Sequence, residues 1–232
     1  MLDGIDGSGK STILNAWKEF ISAEGNAIFD LKNYWREKGE YPDIKELRSY
    51  EFIFSCEPTY TGVGKVIREE LVREGTSYPP LAVAEAFSLD RLVLYNKIII
   101  PLLKEGKCVV QDRGVSSSLA YQSLQDDDLT FLRLLELPGN QLAMEYRPDY
   151  LVLLDLSAEE AINRLSGRNN KKDDVIFERL DFLTKLEKQY QSEEYKNLFI
   201  DRGTNIKQLP TNVNIDIMKE QAVILLRRIL SN

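Results

Sequence analysis

The 232-residue chain contains no histidine. This absence excludes Ser-His-Asp and Cys-His catalysis, histidine metal sites and phosphohistidine relays. The chain has two cysteines, Cys56 and Cys108, too few for a disulfide framework or a zinc cluster, which indicates a reducing compartment. The longest apolar runs, such as 98–103, are far shorter than the ~20 residues needed to cross a bilayer. We therefore expect a cytoplasmic protein that has no membrane partner.

Basic side chains are outnumbered, with 30 lysines and arginines against 37 acidic residues and a net charge of −7. A surface of this sign repels a phosphate backbone, so no nucleic-acid partner is expected. A small anionic ligand is still allowed, because a few arginines in one cleft can outweigh the overall charge. With 43% apolar residues, the chain can form a sizeable core. The length favours one domain over residues 1–232, and no internal repeat is apparent.

Short apolar runs alternate with longer amphipathic stretches, which is typical of an α/β fold with a mainly parallel sheet. We predict a three-layer α/β/α arrangement with five strands. The strands are expected at 26–31, 51–56, 107–112, 150–156 and 198–201. The helices between them are expected at 10–23, 62–73, 81–104, 116–125, 129–137, 157–165, 177–194 and 215–230.

Two stretches interrupt this alternation. Residues 32–50 are polar and aromatic, and we interpret them as a surface insertion with one short helix. Residues 166–174 contain no apolar side chain and cannot pack on a core, so we predict a mobile lid over 166–176.

A phosphate-binding loop motif, G-x-x-x-x-G-K-[ST], stands near the start of the chain. Its glycines allow backbone N–H groups to converge on a phosphate, and the next helix adds its positive N-terminus. Lys10 can reach the β- and γ-oxygens of ATP, and the Ser11 hydroxyl can coordinate Mg²⁺. The alternative is a flexible glycine turn, which the amphipathic helix that follows makes less favourable. The predicted ATP-binding residues are Gly4, Ile5, Asp6, Gly7, Ser8, Gly9, Lys10, Ser11 and Thr12.

Only three residues precede the loop, although such a loop normally follows a buried strand of about five residues. We expect the first strand to be nearly absent from this chain, and we favour a true start upstream of Met1.

A second acidic position follows the apolar strand at 107–112. Asp112 stands where a phosphate-loop enzyme holds Mg²⁺, often through water, and Arg113 can bind a phosphate oxygen. A solvated turn is an equal alternative for the pair taken alone.

Several motifs together resemble the thymidylate kinase family. The phosphate loop, Glu57-Pro58, the F-x-x-x-R segment at 87–91, Asp112-Arg113, the S-x-x-x-Y-Q segment at 117–122 and R-P-D at 147–149 occur in that family's order. The resemblance covers nearly the whole chain apart from 32–50. It implies Mg²⁺-dependent transfer of the ATP γ-phosphate to dTMP, giving dTDP and ADP, by a homodimer with small-molecule substrates only.

The resemblance also implies roles for single residues in the acceptor site. Asp6 would contact the sugar 3′-hydroxyl or a metal-linked water. Phe87 would stack on thymine, and Arg91 would donate to the thymine O4 atom; packing plus a surface charge is an equal alternative for this pair taken alone. Arg113 would hold the acceptor phosphate, with Tyr60 a weaker candidate for the same phosphate, because a tyrosine in a turn without this role is the favoured alternative.

The resemblance places the segment at 117–122 against the base and the sugar. Tyr121 would pack where a 2′-hydroxyl would lie and so favour deoxyribose. The other substrate-binding residues implied are Glu57, Ser117, Ser118 and Gln122.

A basic segment after residue 157 resembles the family's lid over ATP. Arg164 and Arg168 would assist the transfer, with Lys171 and Lys172 nearby; a solvated charge run is the alternative for each. The chain departs from the family's pattern at Gly114, where an aromatic residue or histidine is usual, and at Cys56, where many members have arginine.

Two other functions remain open at this point. One is a phosphate-loop kinase for another nucleoside monophosphate or for a deoxynucleoside, where Glu57 could act as the base for a hydroxyl acceptor. The other is a non-catalytic nucleotide-binding regulatory protein, for which the short N-terminus and Gly114 argue.

Overall fold

A six-stranded parallel sheet forms the centre of the protein, as seen in a computed structural model that describes residues 1–73, 75–167 and 179–231. The strands lie in the order β2-β3-β4-β1-β5-β6, and each neighbouring pair is parallel. The α/β class is confirmed, with six strands instead of five. The strands are β1 Leu2–Asp3, β2 Ile28–Asp30, β3 Phe52–Cys56, β4 Cys108–Asp112, β5 Tyr150–Asp155 and β6 Asn205–Pro210.

The strand predicted at 198–201 is wrong, because these residues end a helix. Ser192 caps that helix by accepting a hydrogen bond from the backbone N–H of Tyr195 at 3.2 Å. Tyr195 and Phe199 then lie one turn apart on the same buried face. The true last strand, β6, is an edge strand with mostly exposed side chains, so it lacks an apolar run.

The helices lie on both faces of the sheet. Two of the helical stretches continue through single π-helical turns, at Ile67–Leu71 and Tyr95–Ile99. The helices of the described residues are α1 Lys10–Ala23, α2 Leu31–Lys38, α3 Ile44–Leu47, α4 Gly62–Val66, α5 Pro80–Leu94, α6 Ile100–Lys104, α7 Val115–Gln122, α8 Phe131–Leu135, α9 Pro138–Glu145, α10 Ala158–Ser166, α11 Leu180–Gln191, α12 Glu193–Ile200 and α13 Ile215–Leu230. None of them is long and apolar enough to cross a membrane.

Alternating residues of β5 show how the two faces are covered. Leu151 and Leu153 belong to the larger apolar cluster, whereas Val152 and Leu154 belong to a smaller one that includes residues of α1 and α13. Successive side chains of a strand point to opposite faces, so both faces of this strand are buried. The sheet is therefore the middle layer of the predicted α/β/α arrangement.

The segment 32–50 differs from the predicted surface insertion with one short helix. It contains most of α2 and all of α3, and Leu31, Trp35 and Leu47 are fully buried in the larger cluster. The Thr61 hydroxyl donates to the Gly39 carbonyl at 2.6 Å and ties α2 to the loop after β3. The segment is thus packed into the domain.

The strand order locates the functional edge. The central strand β1 lies between β4 and β5, and the chain crosses from β1 to β2 on one side before returning to β5 on the other. Ligands of open parallel sheets bind at the carboxyl ends of the strands near such a reversal. The loops that follow β1, β3 and β4 meet there.

Candidate active site

The phosphate loop follows β1 and leads directly into α1. Gly7 has φ +83°, and a Cβ atom there would lie 2.9 Å from the carbonyl oxygen of Ala161 in α10. Gly9 has φ +95° in the left-handed region and forms the N-cap of α1. Both positions favour glycine, because other residues are strained at these angles. The loop is therefore shaped by its own glycines and by contact with α10.

Lys10 lies inside the loop. Its Nζ atom donates to the carbonyl oxygens of Gly4 and Ile5, each at 2.9 Å. Burial, together with the nearby Arg113, lowers the pKa of Lys10 to about 8. The ammonium group is thus held where backbone N–H groups and the start of α1 also favour an anion.

Asp3, the residue just before the loop, is a functional candidate that the sequence analysis missed. Its fully buried carboxylate accepts from the Ser117 hydroxyl at 2.8 Å, from the Tyr190 hydroxyl at 2.9 Å and from Arg113 Nη1 at 3.3 Å. The Ser116 hydroxyl and the Gly4 N–H donate to it as well. The sequence did contain an indication of this role, because Asp3, like Asp112, is an acid at the end of a buried strand.

Arg113 links this carboxylate to the loop. Its φ of +65° turns the chain from β4 into α7, and its N–H donates to the Leu2 carbonyl at 2.9 Å. The guanidinium group also pairs with Asp6 Oδ1 at 2.5 Å. Burial alone would lower the pKa of Arg113, but Asp6, Tyr121 and Asp3 raise it above the ordinary value. A left-handed arginine costs about 1–3 kcal/mol and is typical of functional sites.

Tyr121 contacts the other side of Asp6. Its hydroxyl donates to Asp6 Oδ2 at 3.0 Å, and the Arg113 guanidinium carbon lies 5.0 Å from its ring centroid. Burial alone would raise the pKa of Asp6, but Arg113 and Lys10 hold it below its ordinary value. Asp6 is therefore an ionised acceptor at the centre of this cluster.

A second network surrounds Arg91 on α5. Arg91 Nη2 pairs with Glu57 Oε2 at 2.6 Å and donates to the Ser118 hydroxyl at 2.8 Å, and Nη1 donates to Asn140. Gln111 Nε2 donates to Glu57 Oε1 at 2.6 Å. Burial raises the pKa of Glu57 to about 7, with Arg91 acting against the rise. Asn140 and Gln111 were missed, because uncharged polar residues far apart in sequence give no pattern.

Phe87 and Tyr60 lie at the border of these networks. Phe87 is half-buried and precedes Arg91 by one turn of α5, as the predicted stacking requires. Tyr60 is half-buried in the loop after β3, where its ring meets Arg68 and Arg36. The roles assigned to both residues stay predictions.

Several buried polar atoms at the site have no hydrogen-bond partner among the described residues. They are Asp112 Oδ1, Ser8 Oγ, Arg91 Nε and Gln122 Oε1. Each such atom costs about 1–3 kcal/mol unless something satisfies it. The unused Asp112 oxygen and the exposed Ser11 hydroxyl are oxygen ligands of the kind Mg²⁺ prefers, so the residues present fit this ion.

The predicted lid residues are only partly described. Arg164 Nη2 donates to Glu160 at 2.9 Å and to the Thr211 carbonyl at 2.6 Å. Within the described ranges these are the hydrogen bonds of the Arg164 side chain, so in this conformation it makes none to the phosphate loop. Arg168, Lys171, Lys172 and the predicted lid from 168 onward lie outside the described residues.

Gly114 follows Arg113 at the start of α7, where the family usually has a larger residue. Its φ is 168°, an extended conformation that any residue adopts. A Cβ atom at this position would lie 2.4 Å from the Met1 Cε atom. Because this atom is the end of a flexible side chain that can move, the contact does not by itself require glycine here.

The fold and the loop define a phosphate-loop nucleotide-binding protein, with two arginine networks beside the loop. The model of the thymidylate kinase family matches residues 44–225. The chain belongs to the thymidylate kinase family.

Curated relatives agree with this assignment. A probable thymidylate kinase of Thermococcus gammatolerans is 36% identical over 178 residues, covering 74% of this chain and 71% of the relative. A probable thymidylate kinase of Pyrococcus horikoshii is 36% identical over 172 residues, covering 72% and 69%. A thymidylate kinase of Prochlorococcus marinus is 33% identical over 179 residues, covering 76% and 73%.

Proposed function

We propose that this kinase transfers the γ-phosphate of ATP to dTMP and releases ADP and dTDP. The observation that carries the proposal is the pair of arginine networks beside the phosphate loop. Ser117 and Ser118, neighbours on α7, contact Arg113 and Arg91 respectively. Two adjacent residues of one short helix therefore join the charged cluster near Lys10 to the buried polar network around Arg91, which is suited to a base.

Arg113 is the proposed ligand of the acceptor phosphate, and Arg91 with Phe87 the proposed contact of thymine. Asp6 is proposed to accept from the sugar 3′-hydroxyl, and Tyr121 to occupy the space of a 2′-hydroxyl. Ser117, Ser118 and Gln122 are proposed to complete the acceptor pocket along α7. Gln122 Oε1, buried without a partner among the described residues, supports this placement.

The acceptor's own chemistry explains why the chain needs no histidine. The second pKa of a phosphate monoester is about 6, so the acceptor is mostly dianionic at pH 7. It can attack the γ-phosphorus without a general base, and the P–O bond to ADP breaks as the new P–O bond forms. The protein has to position and neutralise two anions that repel each other.

The donor side is proposed to consist of Gly4–Thr12, with Lys10 on the β- and γ-oxygens. Ser11 and Asp112 would hold Mg²⁺, which neutralises charge on the phosphates when it is bound. Arg164 and Arg168 stay predictions for the lid, and Arg164 would first have to leave Glu160 and Thr211. A homodimer, which the family resemblance implies, and a cytoplasmic location, which the composition indicates, are likewise proposals.

The environment of Glu57 argues against a hydroxyl acceptor such as a deoxynucleoside. The Glu57 side chain is only 3% exposed, against 30% for Asp6, and its oxygens accept from buried donors, Oε2 from Arg91 and Oε1 from Gln111. A general base needs an oxygen within reach of the acceptor proton. Glu57 is better suited to hold Arg91 in place.

Turnover of dTMP, dUMP, CMP and thymidine, measured side by side by ADP release, tests the proposal. We expect the highest kcat/KM with dTMP, and loss of turnover in Lys10→Ala with an unchanged circular dichroism spectrum. Faster phosphorylation of thymidine than of dTMP would contradict the proposal. Binding of ATP and dTMP without any ADP release would favour a regulatory protein instead.

A further inference from the structure

Three cationic side chains surround the ring of Tyr60. The Arg68 guanidinium carbon lies 3.9 Å from the ring centroid, the Arg36 guanidinium carbon 4.4 Å and the Lys32 ammonium nitrogen 5.6 Å. Arg36 Nη2 also donates to the Tyr60 hydroxyl at 3.1 Å. We call Lys32, Arg36, Arg68 and Tyr60 the Tyr60 cluster.

Two of these cations belong to α2, in the segment that interrupts the predicted alternation. Lys32 and Arg36 are separated by one helical turn and therefore share a face of α2. Leu31 and Trp35 are buried beneath the helix, and the bond from Thr61 to Gly39 holds its C-terminal end. The Tyr60 cluster is thus built on an anchored helix.

Among the described residues, no acid directly contacts the cations of the Tyr60 cluster, although Arg68 acts at longer range on the buried Asp90 and limits the rise that burial causes in the pKa of that carboxyl. Within the described residues, no carboxylate lies within 4.0 Å of a charged nitrogen of Lys32, Arg36 or Arg68. Arg48, on the same inserted segment, pairs with Glu105 at 3.1 Å. In a chain of net charge −7, neighbouring cations without an acid repel each other unless an anion joins them.

The loop that carries Tyr60 starts in the acceptor site. Glu57 belongs to the Arg91 network, and its N–H donates to the Asp112 carbonyl at 3.1 Å. Arg68 donates to the carbonyl oxygens of Pro58 and Thr59 and so fixes the loop between Glu57 and Tyr60. The Tyr60 cluster therefore lies at the same edge of the sheet as the two arginine networks.

We propose that Lys32 and Arg36 bind the phosphate of the acceptor nucleotide, together with Arg68 and beside Tyr60. The inserted segment would then supply part of the acceptor site and help to neutralise the dianion that attacks ATP. This inference depends on the proposed function, because it assigns a phosphate-bearing acceptor to the pocket.

The test compares ligands that differ only in the phosphate. Binding of dTMP and of thymidine is measured by calorimetry for the wild-type chain, Arg36→Gln and Lys32→Gln. Both substituted positions are at least partly exposed, so the variants keep the fold. Arg48→Gln is the matched control, since it removes one positive charge from the same segment away from the Tyr60 cluster.

We expect Arg36→Gln to weaken dTMP binding about tenfold, the size of a lost hydrogen bond to a charged group. Lys32→Gln should weaken it by a smaller factor, and neither variant should change thymidine binding. Arg48→Gln should bind both ligands as the wild-type chain does.

Equal weakening of dTMP and thymidine would overturn the inference, because it would indicate that Arg36 only holds the loop. Unchanged dTMP binding in both variants would overturn it as well, as would a KM increase for ATP alone. A wild-type chain that binds dTMP but does not phosphorylate it would contradict the proposed function. The dTMP-to-thymidine comparison would still test the phosphate contact in that case.

Discussion

The two arginine networks resemble each other in composition but differ in exposure. The Arg91 side chain is 1% exposed and its partner Glu57 3%, whereas the Arg113 side chain is 17% exposed and that of Asp6 30%. Burial raises the pKa of Glu57, while Arg113 and Lys10 hold that of Asp6 low. One network is a closed polar core, and the other is an open cluster that keeps its charges.

This difference indicates how a single pocket can distinguish the two ends of a nucleotide. A base is neutral and is recognised by fixed hydrogen-bonding groups, which a closed network holds in place. A phosphate is a mobile dianion that needs accessible positive charge. Separate substitutions in the two networks should therefore change different properties of the enzyme.

The largest effect is expected from Arg113→Gln. Loss of this cation should lower kcat/KM for dTMP roughly 10³-fold, because removing a group that stabilises charge in the transition state has an effect of this size. Steady-state kinetics measure the effect, and circular dichroism checks the fold. Arg113→Lys should recover part of the activity. If the variant loses as much affinity for thymidine as for dTMP, Arg113 does not act on the phosphate alone, and the proposed division of roles between the two networks is wrong.

Arg91→Leu should affect stability most. It leaves Glu57 buried without a cation, which costs about 3–5 kcal/mol of unfolding free energy near pH 8. The loss should be smaller at pH 5, because the native Glu57 carboxyl, with a pKa of about 7, is then protonated and needs no partner. Urea unfolding at both pH values measures it.

Glu57→Gln in the Arg91→Leu background should restore part of that stability. In the wild-type protein, the pKa of Glu57 is higher in the folded than in the unfolded state. The contribution of Glu57 to the free energy of unfolding therefore falls as the pH rises from 4.5 to about 7. A pH-independent loss in Arg91→Leu would mean that packing, and not the ion pair, dominates.

Lys10→Arg should change the pH dependence of ATP binding. The pKa of Lys10 is about 8, so above that pH the free enzyme must take up a proton to bind ATP with a charged lysine. Wild-type affinity should fall roughly tenfold from pH 8.5 to 9.5, whereas an arginine stays charged over this range. Parallel curves for the two proteins in calorimetry would contradict this prediction.

Smaller changes are expected at Tyr121. Tyr121→Phe removes the hydrogen bond to Asp6 but keeps the ring, so KM for dTMP should rise about fivefold with ribose still excluded. Tyr121→Ala should also relax discrimination against the ribonucleotide. The ratio of kcat/KM for dTMP and 5-methyluridine monophosphate measures this, and an unchanged ratio in Tyr121→Ala would argue against the sugar contact.

Local patterns in the sequence predicted most of the fold. The glycines, Lys10 and the helix that follows identified the phosphate loop and α1, and apolar runs located β2 to β5. The last strand, β6, was missed because an edge strand does not need a continuous apolar run. The buried role of Trp35 was missed because its neighbours on α2 are polar, and only tertiary packing buries one face.

Candidate site residues could be named where one side chain carries a recognisable chemistry. Arg91, Arg113 and Asp112 could be named from their positions and from the family resemblance. Asp3, Gln111 and Asn140 could not, because they become partners only when distant segments meet at the sheet edge. Lys32 and Arg36 are a similar case, since nothing in their spacing indicates Tyr60.

A crystal structure with dTMP and a non-hydrolysable ATP analogue tests the central claim most directly. The account predicts thymine against Phe87 and Arg91 and the dTMP phosphate against Arg113, facing the analogue's γ-phosphate at Lys10. Thymine at Arg113, or a dTMP molecule bound outside the two arginine networks, would contradict it.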